Sequence, residues 1–87
     1  MSNGDPRITT LVQNVLETND LLDDQEEIQH GTKFTARFGP VRAHILVYNT
    51  GSIVVQGRWS PLATWLQQVK AGINANRQIP AFEPPID

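Results

Sequence analysis

Two stretches of the chain repeat apolar residues at the spacing of an amphipathic α-helix. The apolar positions are Ile8, Leu11, Val12, Val15 and Leu16 in the first stretch and Leu62, Trp65, Leu66, Val69 and Ile73 in the second. Pro6 suits the first turn of one helix, and Ser60 followed by Pro61 is a helix-start signal for the other. The pattern therefore predicts one helix near each end of the chain.

Between these helices the apolar period changes to two, which is typical of strands with one buried face. The alternation predicts strands over residues 33–38, 41–48 and 52–57, separated by turns at Gly39-Pro40 and at residues 49–51. Short turns between consecutive strands predict an antiparallel meander. Residues 20–27 are acidic, and their pattern leaves them unassigned.

The order of elements predicts an α+β fold, helix–three-stranded meander–helix, with both helices on one sheet face. The inward residues are then Phe34, Ala36, Phe38, Ala43, Ile45, Val47, Ile53 and Val55. The other face, called here the open face, receives Lys33, Thr35, Arg37, Arg42, His44, Leu46, Tyr48, Ser52, Val54, Gln56 and Arg58. Residues 1–77 are expected to form a single domain and residues 78–87 a proline-rich extended tail. A linker to a further domain is the alternative for that tail.

Charge is divided along the chain by position. Residues 1–27 hold seven of the nine carboxylates and one arginine, whereas residues 28–82 hold six cations and no acid. Clustered cations attract polyanions, so the basic region favours a nucleic-acid partner. The alternative is that the acidic segment neutralises the basic region within the fold.

Composition narrows the classes of function. The absence of cysteine excludes disulfides and thiolate metal sites, and no apolar stretch approaches the roughly 20 residues that span a bilayer. No nucleophile has a credible base nearby in sequence, and the acids of residues 20–27 lack the spacing of a calcium loop. We therefore expect a cytoplasmic protein that is not an enzyme and has no cofactor, no metal site and no membrane partner.

The strand residues carry a family resemblance. Phe34-Thr35-Ala36, Ile45-x-x-Tyr48-x-x-Gly51 and Val54-Val55-Gln56-Gly57 before a helix resemble the N-terminal substrate-binding domain of bacterial ribonuclease HIII. The resemblance covers about half of the chain, with Val55 where that family prefers Phe. It implies the fold of half a TATA-box-binding protein. It also implies a stand-alone module that grips RNA/DNA hybrid, because no catalytic domain follows.

We therefore expect a small non-catalytic module that binds RNA/DNA hybrid or duplex through its basic open face. The candidate contact residues are Lys33, Arg37, Arg42, His44, Tyr48, Gln56 and Arg58. The alternative is a protein–protein interaction or homodimerisation module, including one that regulates a separate enzyme. Leu46 and Val54 on the open face suit a minor-groove contact or a dimer seam equally well.

Overall fold

A computed structural model describes residues 6–84, so the first five residues of the predicted domain and the last three of the predicted tail lie outside the described residues. The elements follow in the order α1 (Pro6–Thr18), β1 (Leu22–Ile28), β2 (Gly31–Phe38), β3 (Val41–Tyr48), β4 (Ile53–Gln56) and α2 (Pro61–Asn74). The four strands form one antiparallel sheet in chain order. The predicted α+β class, with one antiparallel sheet and two helices, is thus confirmed.

The predicted number of strands was wrong, because the acidic segment is the additional strand β1. Its backbone pairs with β2 from Leu22 opposite Ala36 to Ile28 opposite Gly31, with a bulge between Leu22 and Asp24. Acidic side chains are rare in strands, and here they hid the pairing. At the edge of the sheet they stay exposed, so β1 forms without burying charge.

The core lies between the sheet and the two helices. Val12 and Leu16 of α1, and Leu62, Leu66 and Val69 of α2, share a single buried cluster with the inward sheet residues. Both helices therefore cover the same sheet face. Within that sheet, Phe34, Ala36, Ala43, Ile45, Val47 and Ile53 are buried, as their period-two spacing predicted.

The start of α2 is fixed by its cap. The Ser60 hydroxyl oxygen accepts a hydrogen bond from the Ala63 amide at 3.1 Å, and Pro61 occupies the first turn. This cap satisfies one of the amide donors that a helix start leaves without a partner. Just before it, Trp59 is 88% exposed.

Residues 77–84 contain no helix or strand, yet they pack against the rest of the fold. The Trp65 indole N–H donates to the Pro80 carbonyl at 2.9 Å, and the Phe82 amide donates to Asn19 Oδ1 at 3.0 Å. The Phe82 ring makes edge-on contacts with Phe38 and Trp65, with ring centroids 5.2 and 5.5 Å apart. The described part of the predicted tail is therefore a strap that packs against Trp65 of α2 and Asn19 just after α1.

Candidate nucleic-acid interface

The candidate interface is the open face, and strand pairing arranges its side chains in rows across the sheet. One row runs Asp24, Thr35, His44 and Gln56, and the next runs Glu26, Lys33, Leu46 and Val54. Neither helix covers this face, because both lie on the other side of the sheet. Every predicted contact residue from β2, β3 and β4 is on this face, as the alternation required.

Two arginines lie at one end of the open face, and a third follows β4 close to that end. Arg37 and Arg42 are direct cross-strand partners beside the β2–β3 turn, and both are exposed. Arg58 directly follows Gly57. A Cβ added at Gly57 would lie 3.2 Å from Ala43 and 3.6 Å from the Arg42 carbonyl, so the backbone just before Arg58 lies close to Arg42. We call Arg37, Arg42 and Arg58 the arginine end.

Like charges directly opposite each other in a sheet are destabilising. Arg42 has a partial counterion, since its Nε lies 3.9 Å from Asp23 Oδ2. The Arg42 side chain is 61% exposed, and ion pairs of this kind contribute little to stability. The arginine end therefore remains a place where an added anion would relieve repulsion.

His44 lies in the middle of the face, half-buried. Its Nδ1 is 3.0 Å from Thr35 Oγ1 on the neighbouring strand. Burial lowers the pKa of His44 below its ordinary value, with further lowering from the positive charges of Lys33 and Arg42, while Glu26 acts in the opposite direction. At neutral pH this imidazole is therefore uncharged and can accept or donate a hydrogen bond.

The opposite end of the face is less polar. Tyr48 is half-buried and its ring lies close to Gly31, where an added Cβ would be 3.2 Å from Tyr48 Cδ1. Leu46 is 6% exposed even though it points to the open face, because Lys33 and Val54 flank it on the neighbouring strands. From Arg42 to Tyr48 the strand rises roughly 20 Å at about 3.3 Å per residue. A ligand that contacts both residues must span that length.

The expectation that the open face carries no acid was wrong. β1 places Asp24 opposite Thr35 and Glu26 opposite Lys33, so two carboxylates share the face with the cations. The acidic segment thus lies beside the basic strands, as the hypothesis that it neutralises the basic region within the fold requires. At the arginine end, Asp23 lies near Arg42, and Asp20 and Asp23 line a cleft together with Arg37.

Sequence reasoning missed the acidic part of this site, although a local signal for it exists. Gln29 and His30 form the turn between β1 and β2, and His30 has a φ of 66°. A turn directly before a strand suggests a hairpin, and a hairpin needs a second strand on its other side. If residues before this turn form a strand paired with β2, Asp24 and Glu26 belong to the sheet face that carries Lys33.

Comparison of the chain with family models, with curated proteins and with solved structures finds no match in any of the three. Among residues 6–84 there is no group of three or more side chains that could hold a metal ion. None of the helices in that range is long and apolar enough to cross a membrane.

Proposed function

We propose that this protein is a small non-catalytic module that binds the sugar-phosphate backbone of a nucleic acid on its open face. The observation that carries the proposal is the direct cross-strand pairing of Arg37 with Arg42, both exposed. Two guanidinium groups on neighbouring strands start roughly 5 Å apart at their backbones. Each can donate two parallel hydrogen bonds to a phosphate, which is the geometry that arginine provides and lysine does not.

The remaining contact residues define how the ligand would lie. Arg58 extends the arginine end toward β4, and Tyr48, roughly 20 Å along β3, offers a ring for stacking. That distance corresponds to about six nucleotides of one strand at 3.4 Å per step. His44 and Gln56 lie between the two ends and are the polar groups available to bases. So few base contacts favour binding that is largely independent of sequence.

The β1 carboxylates restrict where a polyanion can lie. Asp24 and Glu26 repel phosphates along the β1 side of the face, whereas β4 carries no charge between Ile53 and Gln56. A bound backbone would therefore follow β2, β3 and β4 and avoid β1. This arrangement gives the ligand one favoured path and lowers binding to other surfaces of an acidic protein, whose formal charge is −2.

The resemblance to the substrate-binding domain of ribonuclease HIII supports RNA/DNA hybrid or duplex as the ligand. It also supports the arrangement of half a TATA-box-binding protein, with four strands in place of the three that the sequence suggested. Arg37 and Arg42 lie on the sheet face opposite the helices, which is the face proposed here to hold the duplex.

A second candidate function is protein binding on the same face. Leu46, Tyr48 and Val54 form an apolar region beside the acidic Asp24 and Glu26, and such mixed surfaces suit protein partners, including an enzyme that the module regulates. This candidate predicts no salt-dependent affinity for any nucleic acid.

The test is a titration of labelled RNA/DNA hybrid, duplex DNA, duplex RNA and single strands, each at about 50 mM and about 200 mM salt. With about three phosphates neutralised, the slope of log K against log salt is about −2.7, and affinity falls about 40-fold over this range. Arg37→Ala/Arg42→Ala removes about two contacts and should reduce the slope by about 1.8.

The matched control is Lys70→Ala/Arg77→Ala, which removes the same charge from α2 and the segment after it. Nucleic-acid affinity should stay within about threefold of the unmodified protein in this control, since the two residues are off the open face. Equal losses in both double variants would show a nonspecific charge effect. Absence of binding at low salt would leave the face to a protein partner.

A further inference from the structure

The two edges of the sheet are built differently. The β1 edge carries Asp23, Asp24, Glu26 and Glu27 and contains a bulge. Charges and bulges are the features by which natural sheets prevent pairing with another chain. The β4 edge, Ile53–Gln56, carries no charge, no proline and no bulge. One edge is therefore protected, and the other is suited to accept a strand.

The ladder between β3 and β4 shows which backbone groups of β4 face outward. The Tyr48 amide donates to the Ser52 carbonyl at 2.9 Å, so this pair is hydrogen-bonded. Hydrogen-bonded and non-hydrogen-bonded pairs alternate in an antiparallel ladder, which makes Leu46 with Val54 the next bonded pair. The N–H and C=O groups of Ile53 and Val55 therefore point away from β3. In the described part of the chain no strand lies on that side.

We propose that β4 pairs with β4 of a second copy of this chain in antiparallel orientation, centred on Val54. In this register Ile53 lies opposite Val55 of the second copy, and Val54 lies opposite its counterpart. Ile53 and Val55 exchange about four N–H···O=C bonds across the two-fold axis. All of these outward groups lie within the strand, so the pairing needs no change in backbone conformation.

A second copy fits this edge because the strand is complementary to itself. The register matches apolar residues with apolar ones, and it places Ser52 opposite Gln56 at both ends. No charged residue meets another, because the nearest, Arg58, lies beyond both ends of the paired segment. The two sheets then join into one, with both open faces on the same side and an arginine end at each flank.

The same register places Trp59 level with residues 49–51 of the second copy, which form the β3–β4 turn. Trp59 is 88% exposed in the single chain, so pairing gives this large side chain a neighbouring surface. Because the paired segment is only four residues long, the dimer should be weak, with a dissociation constant of about 10–500 µM. Dimerisation through β4 does not depend on the proposed nucleic-acid binding.

The test combines sedimentation velocity over protein concentrations from about 5 µM to about 1 mM with amide hydrogen exchange at the lowest and the highest of these concentrations. We expect a concentration-dependent monomer–dimer equilibrium. Exchange at the outward amides of Ile53 and Val55 should slow about threefold to tenfold at high concentration, according to where the dissociation constant lies in the range of about 10–500 µM. The Val54 amide is bonded to β3 in either state and serves as an internal control.

Val54→Lys places two like charges opposite each other at the two-fold axis and should abolish the dimer. Val54→Thr keeps the shape and β-propensity without charge and should retain it. A protein that stays monomeric at about 1 mM, or a Lys variant that dimerises like the unmodified chain, would overturn the proposal. Unchanged exchange at Ile53 and Val55 would do the same without any substitution.

Discussion

The strap formed by residues 77–84 makes a quantitative prediction about stability, and Phe82 is the residue on which to test it. Its ring contacts Phe38 and Trp65 edge-on, and its amide is bonded to Asn19. Phe82→Ala removes both ring contacts and leaves the backbone hydrogen bonds of the segment available. A free extended tail would be indifferent to this change.

The size of the effect follows from burial and ring geometry. Phe82 is half-buried, so it gains about half of the roughly 1.5–3 kcal/mol available to a fully buried large side chain. Each edge-on aromatic pair adds about 0.5–1.5 kcal/mol beyond burial. Release of the strap restores some chain entropy and offsets part of the loss. We expect the free energy of unfolding to fall by about 2–3 kcal/mol, which lowers Tm by about 10–20 °C at this chain length.

Urea denaturation followed by circular dichroism measures this difference, with Glu83→Ala as the matched control. Glu83 is the exposed neighbour of Phe82, and its removal should change the free energy of unfolding by less than about 0.5 kcal/mol. A double-mutant cycle with Phe38→Ala isolates the ring pair, with an expected coupling of about 0.5–1.5 kcal/mol.

A change below about 0.5 kcal/mol for Phe82→Ala would refute the reasoning, because it would place the segment off the fold in solution. Zero coupling with Phe38 would refute the ring contact alone. A loss as large in Glu83→Ala would point to a general effect of sequence changes in this segment.

Two further predictions concern the open face. Asp24→Asn/Glu26→Gln should tighten nucleic-acid binding by about threefold to tenfold, since a unit charge about 6 Å from a phosphate costs roughly 0.7 kcal/mol in water. Anisotropy titration measures this change. The control is Glu27→Gln, because the cross-strand partner of Glu27 is Thr32, which points to the core. The pKa of His44 is lower in the folded protein than in the unfolded chain. As pH falls below about 6.5, the unfolded chain therefore binds a proton at His44 before the folded protein does, and the free energy of unfolding decreases. His44→Gln should therefore reduce the difference in free energy of unfolding between acidic and neutral pH in urea titrations, and an unchanged difference would contradict the assignment.

The elements that could be predicted from sequence are those whose apolar periods are regular. Both helices, three strands and the burial of Phe34, Ala36, Ala43, Ile45, Val47 and Ile53 follow from spacing alone, whereas Phe38, also predicted to be inward, is exposed. β1 could not be found in this way, because it is an edge strand with five exposed residues in succession and therefore no period. Its existence depends on pairing with β2, which is a tertiary property.

The strap escaped prediction for a different reason. Prolines near the end of the chain indicate a segment without helix or strand, and residues 77–84 contain neither. Composition does not show that Phe82 meets Phe38 and Trp65, because those three residues become neighbours only when the sheet and α2 are in place. The same holds for the open face, where the position of Asp24 and Glu26 depended on the missed strand.

The order of the strands has a consequence for how the chain folds. Each strand pairs with the next one along the chain, so every hairpin of the sheet closes a short loop. Topologies dominated by such local contacts fold fast. The bond from Phe82 to Asn19 spans 63 positions and is the opposite case. We expect the sheet to form early and the strap to dock last, which makes the C-terminal segment the final step in completing the core.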